Sequence, residues 1–194
     1  CTKMNWKEKG TFFMIYVFLA DGFEEIEGLT VVDVLRRAGI SLTTVSIMKR
    51  EQVTGAHQIQ VKADCLMEET DFSDTKMVVL PGGLGGMQNL EAHESVRELL
   101  RQFAREQRYI GAICAAPTIL GRMGLLEGKR AVCYPSMEDG LVGAEVCYEG
   151  VVADGTIITG RGMGVSIDFA LRLVEALRDE TLADEIAEQI VYQK

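Results

Sequence analysis

Two hydrophobic rhythms alternate along this chain. Short runs rich in β-branched and other apolar residues occupy Phe13–Leu19, Leu42–Met48, Met77–Leu80 and Tyr109–Ile113, the lengths expected of strands. Between them, Glu25–Ala38, Ala92–Glu106 and Ala115–Met123 carry apolar residues at helical spacing. That alternation predicts βαβ units, hence an α/β fold with a mostly parallel sheet covered by helices on both faces. Gly39 follows Arg36-Arg37-Ala38 and Gly124 follows Met123, each with an apolar residue after it, as at helix ends that need a left-handed residue. Residues 151–158 read as a hairpin around Asp154-Gly155, an antiparallel addition to the sheet. A helix over Met163–Arg178, with Met163, Ile167, Ala170, Leu171, Val174 and Leu177 as its apolar stripe, and a short helix over Leu182–Glu188 complete the pattern. The opening segment is polar and without periodicity, so residues 1–13 are expected to form an N-terminal extension and residues 14–194 a single domain.

Composition narrows the function. The net charge is −9, from 29 acidic and 20 basic residues, and the basic residues form no cluster that could neutralise phosphates, so a nucleic-acid partner is excluded. A small substrate fits better. Five cysteines, Cys1, Cys65, Cys114, Cys133 and Cys147, form an odd set without a C-x-x-C pair, which argues against a disulfide framework and a cysteine zinc site and for a reducing, cytoplasmic location. No run reaches the roughly 18 apolar residues that a membrane span needs. The apolar stretch from Phe12 to Ala20 lacks a small-residue cleavage site and runs into acidic residues, which favours a first strand over a signal segment. Neither a cofactor nor a metal is expected.

Candidate chemistry gathers after the strands, because open parallel sheets bind ligands beyond the carboxyl ends of their strands. In Ile110-Gly111-Ala112-Ile113-Cys114-Ala115-Ala116-Pro117, a strand pattern turns directly into a helix pattern at Cys114. A thiol there meets the free N–H groups and positive dipole end of a new helix, which favour the thiolate. Cys114 is therefore the candidate nucleophile, while Cys65, Cys133 and Cys147 have no such elbow. Glu27 stands in line with Val31, Val34, Leu35 and Ala38 on the face its helix buries. A carboxyl there should be raised in pKa and bonded to something specific, and a neighbouring thiolate would accept its proton's hydrogen bond. Glu24 and Glu25 fit the simpler role of acids at a helix start. Pro81-Gly82-Gly83, followed by Gly85-Gly86, allows close backbone approach and can aim N–H groups at an oxyanion, but it matches neither a P-loop nor a dinucleotide fingerprint. His57 and His93 read as solvated surface residues, although His57 could line the mouth of a site.

The residues Leu19 to Glu27, Val32 to Gly39, Val79-Leu80-Pro81-Gly82-Gly83, Gln88-Asn89-Leu90 and Ala112 to Pro117 together resemble the ThiJ/PfpI superfamily, in the branch of the parkinsonism-associated protein DJ-one, of class I glutamine amidotransferase-like fold. The resemblance runs from about Met14 to the C-terminus and implies a flavodoxin-like three-layer α/β/α sandwich, usually homodimeric. It implies Cys114 as nucleophile and redox-sensitive thiol, Glu27 as the protonated glutamate bonded to it, and Gly83 and Ala115 as oxyanion donors. Gly82, Tyr134 and Glu24 complete the candidate oxyanion and substrate-binding set. The activities implied are cofactor-free glyoxalase or deglycase chemistry on small aldehydes or glycated substrates; the alternative is a non-enzymatic oxidative-stress sensor or redox-regulated chaperone. Ala115 stands where the protease-like branch has a histidine, which argues against peptidase activity. Tyr134 stands where several glyoxalase members have a histidine, and tyrosine is a poor base at neutral pH.

Overall fold

A computed structural model describes residues 13–193. Its elements in chain order are β1 (Met14–Leu19), α1 (Glu25–Arg37), β2 (Leu42–Ser46), β3 (Gln52–Thr54), β4 (Gln60–Lys62), β5 (Cys65–Leu66), β6 (Thr75–Leu80), α2 (Leu84–Ala92) and α3 (Glu94–Arg105). There follow β7 (Tyr109–Ile113), α4 (Pro117–Arg122), β8 (Arg130–Ala131), β9 (Glu145–Val146), β10 (Val151–Asp154), β11 (Ile157–Gly160), α5 (Ser166–Leu177) and α6 (Glu180–Gln189). Seven strands form the main sheet in the order β10-β11-β7-β6-β1-β2-β5. Only β10 runs antiparallel to its neighbour, as the Asp154-Gly155 turn requires.

Period-two alternation explains the three layers. Ile15, Val17 and Leu19 of β1 pack with α1, α5 and α6 on one face, while Tyr16, Phe18 and Ala20 pack with α3 and α4 on the other. From β1 the chain passes to β2 on one side and, after edge strand β5, crosses back to β6 on the other side of β1, so the strand order reverses there and opens a crevice at the carboxyl ends. The adjacent strands β1, β6 and β7 deliver the three loops that carry the candidate chemistry. Gly39 and Gly124 have φ of 66° and 72°, the left-handed helix ends expected of them.

Several expected boundaries shift for identifiable reasons. The strand expected over Leu42–Met48 stops at Ser46, whose hydroxyl accepts from the Met48 N–H and donates to the Arg50 carbonyl, closing a turn. The helix expected over Ala92–Glu106 is α3 and begins only at Glu94, because His93, with a ψ of 108°, breaks the helical path; Ala92 closes the preceding helix α2, which was not expected at all. The elbow helix becomes regular only at Pro117, after a turn over residues 114–116. Met163 is 53% exposed and stands outside the stripe assigned to it, where Phe169 and Leu173 are buried instead. The closing helix extends to Glu180–Gln189, capped by Asp179, which accepts from the Leu182 N–H. Cys65 lies in edge strand β5, and Cys1 lies outside the described residues.

Candidate active site

Cys114 follows β7 with a φ of 63°, a left-handed conformation that a non-glycine residue adopts only where its surroundings hold it. Two backbone bonds do so: its N–H donates to the Gly160 carbonyl at 2.9 Å, and its carbonyl accepts from the Tyr134 N–H at 2.8 Å. The twisted turn leaves the thiol half-buried above the sheet.

Glycine is required in the facing loop for contact as well as for conformation. A Cβ on Gly82 would lie 2.5 Å from Cys114 Cβ and 2.6 Å from Glu27 Oε2. Gly83 has a φ of 83°, and a Cβ there would lie 2.3 Å from the Gly22 carbonyl oxygen. The loops after β1 and β6 therefore meet backbone to backbone, and the Gly83 and Ala115 N–H groups both reach the Cys114 sulfur, where they favour the thiolate.

Glu27 is 1% exposed, on the inner face of α1 as its spacing predicts. Its Oε2 accepts from the Gly82 N–H at 2.8 Å, while its Oε1 is buried without a hydrogen bond of regular geometry. The Cys114 sulfur is nonetheless close enough to act on the carboxyl's titration. Burial, aided by the Glu24 charge and opposed by the Gly82 and Cys114 contacts, raises the Glu27 carboxyl to about 7. Burial, followed by the charge of Glu27, pushes the Cys114 thiol up to about 12 against the pull of the two N–H groups. A helix dipole alone thus does not make Cys114 a thiolate, contrary to the expectation from the elbow, because α4 has only six residues and burial dominates. Instead the thiol and carboxyl titrate as a pair that holds one proton between the two values.

The remaining candidates divide. Glu24 donates its backbone N–H to the Gly82 carbonyl at 3.0 Å and acts on Glu27 through its charge. Tyr134 is 50% exposed, with its ring beside Gly162, where a Cβ would lie 3.3 Å from Cδ2. His57 is exposed, as expected, yet it bonds Glu25, a partnership that a separation of 32 residues hides in the sequence. His93 lies apart, lining a cleft with Met67, Phe72 and Leu99. Asn89 was not singled out as a site residue; its side chain donates to the Asp21 carbonyl at 2.9 Å and ties α2 to the first loop. A groove of about 740 Å³ opens beside the site, lined by Glu25, Ile26, Leu29, Ile59 and Val191 among others, and does not include Cys114.

Comparison with known proteins bears on the family and the fold. The model of the DJ-1/PfpI family matches residues 14–176. Protein dj-1beta of Drosophila melanogaster is 38% identical over 177 residues, covering 90% of this chain and 95% of that protein. DJ-1 homolog B of Arabidopsis thaliana is 35% identical over 174 residues; the match spans 89% of this chain but only 40% of the plant protein. Among solved structures, a cysteine-to-alanine mutant of a DJ-1 superfamily protein from Salmonella typhimurium superimposes with a TM-score of 0.90 at 34% identity, covering 94% of this chain and all of that one. Toxoplasma gondii DJ-1, solved oxidized, gives a TM-score of 0.90 at 31% identity with the same coverage.

Proposed function

The chain belongs to the DJ-1/PfpI family, and from that premise we propose that it is a cysteine-dependent, cofactor-free enzyme acting on small reactive carbonyls, of the glyoxalase III or deglycase type. The observation that carries this reading is the Cys114–Glu27 pair, one nucleophile and one carboxyl near 7, set beneath two N–H groups without competing backbone acceptors. A carboxyl titrating near neutrality can both take and return a proton. We assign the shared proton to Glu27 Oε1, since a carboxylic acid there donates to the sulfur and satisfies an oxygen otherwise left bare, while Gly83 and Ala115 stabilise the thiolate.

The sulfur then attacks the aldehyde carbon of a compound such as methylglyoxal, the C–S bond forming as the carbonyl electron pair moves onto oxygen. Gly83 and Ala115 N–H groups hold the oxyanion, and Glu27 supplies its proton, giving a hemithioacetal. As a carboxylate, Glu27 next removes the proton from the former aldehyde carbon; reprotonation at the adjacent carbon leaves a thioester of lactate, which water hydrolyses to lactate and free Cys114. Tyr134 offers no base for these transfers, so every proton passes through Glu27. Purified protein should consume methylglyoxal and Cys114→Ser should lose at least 10²-fold, the scale of a removed nucleophile. Equal consumption by the two proteins would overturn the assignment.

A second reading is a redox sensor or redox-regulated chaperone, favoured by the same donors: Gly83, Ala115 and a protonated Glu27 would hold the oxygens of a Cys114 sulfinate. Intact mass after mild peroxide, with no methylglyoxal turnover, would select it. We also propose a homodimer, because exposed Ile26, Leu29, Ile59 and Val191 border the groove beside α1.

A further inference from the structure

At the lip of the site, Glu24 and Glu25 at the start of α1 meet His57 from the turn between β3 and β4. His57 Nδ1 lies 2.9 Å from Glu25 Oε2 and 3.6 Å from Glu24 Oε1. One ligand atom from each residue falls within 4.8 Å of the others. Metal bonds of about 2.0–2.2 Å to nitrogen and oxygen place neighbouring donors roughly 3 Å apart, so the His57–Glu25 edge already has the spacing of a coordination shell and the His57–Glu24 edge is somewhat wider.

The turn that carries His57 is fixed independently of its imidazole. Gly22 N–H donates to the Thr54 carbonyl at 2.7 Å, Ala56 N–H to the Phe23 carbonyl at 2.8 Å, and His57 N–H to Glu25 Oε1 at 2.8 Å. A Cβ on Gly55 would lie 2.2 Å from Glu25 Oε1, so the turn closes directly on that carboxylate. The donors are thereby held in place, with Glu25 Oε2 turned toward the imidazole.

Glu24 adds a second carboxylate to the cluster. Its side chain is only 16% exposed, yet among the described residues no group donates a hydrogen bond to its carboxylate. Nδ1 of His57 can carry one proton, and Glu25 is the nearer acceptor. Two carboxylates therefore converge on a single imidazole nitrogen, an arrangement that concentrates negative charge at that point of the lip. One imidazole and two carboxylates suit borderline divalent cations of the zinc type better than magnesium or calcium, which prefer all-oxygen shells.

We propose that Glu24, Glu25 and His57 form a binding site for a divalent transition-metal cation, with water completing the shell on the exposed side of His57. Zn2+ alone is the probe, titrated calorimetrically into the full chain and three variants. Wild type and Cys114→Ser should each bind one equivalent with equal affinity, and both His57→Ala and Glu24→Gln should bind at least tenfold more weakly. His57 is largely exposed, so its removal leaves the fold intact, which circular dichroism checks. With Co2+ in place of Zn2+, visible d–d absorption should appear without a thiolate charge-transfer band. The proposal is overturned by absence of binding to wild type, by unchanged affinity in either lip variant, or by loss of binding or of a charge-transfer band in Cys114→Ser.

Discussion

Cys114 and Glu27 each contradict a simple rule and make sense only together. A buried thiol alone should stay protonated, and a buried carboxyl alone should be an unpaired liability. If the shared proton sits on Glu27, thiolate absorbance in wild type rises with a midpoint near 7, the first step of the pair. If it sits on sulfur, the absorbance rises only near 12. Replacing Glu27 by Leu removes both the donor and the negative charge, so the thiolate midpoint should move above 7 yet stay below 12. Spectroscopic titration of wild type, Glu27→Leu and Cys114→Ser measures all three, and coincident wild-type and Glu27→Leu curves would remove Glu27 from its role.

Helix α2 shows tertiary contact overriding propensity. Gly85 and Gly86 disfavour a helix by about 1 kcal/mol each relative to alanine, and a glycine-rich turn is the natural reading of Pro81 to Gly86. The helix forms because its first turn must lie against the first loop: a Cβ on Gly86 would stand 2.7 Å from Phe23 Cα. The same contact sets the direction of the Gly83 N–H. Gly82→Ala, which would press on both Cys114 and Glu27, should destabilise the protein by about 1–3 kcal/mol, the range of an overpacked core. It should also slow alkylation of Cys114 by iodoacetamide; thermal denaturation and labelling followed by mass spectrometry read the two effects. Unchanged labelling would mean that the loop can retreat without disturbing the pair.

Whole-molecule stability carries the signature of the site. In the unfolded chain the Glu27 carboxyl gives up its proton at 4.5, whereas the folded Glu27–Cys114 pair gives up its first proton only near 7, so between these values the native state binds more protons than the unfolded chain. Stability from this group is therefore present below pH 4.5 and lost as pH rises through 7. The loss is on the order of 3 kcal/mol. Glu27→Gln keeps an acceptor for the Gly82 N–H without a titrating group, so wild type should fall relative to it across this window in pH-dependent denaturation curves; parallel curves would refute the raised carboxyl. For assembly, Leu29→Glu places a charge on the exposed apolar rim of the groove. Light scattering at micromolar concentration should show a dimer for wild type and a monomer for this variant.

The sequence by itself determined the layered α/β fold, the hairpin, the helix ends at Gly39 and Gly124, and the buried position of Glu27, because each follows from local periodicity or from a local backbone requirement. It also singled out Cys114, since an apolar strand passing directly into a helix leaves one residue at the junction. Only tertiary structure decided how far that thiol is buried, which loop supplies its N–H donors and where the glycines must lack a Cβ. The same holds for the meeting of His57 with Glu24 and Glu25, residues more than 30 positions apart that the β3–β4 hairpin folds together. These are distances across the crevice, set by the packing of β1, β6 and β7 side by side, and no spacing along a single chain encodes them one segment at a time.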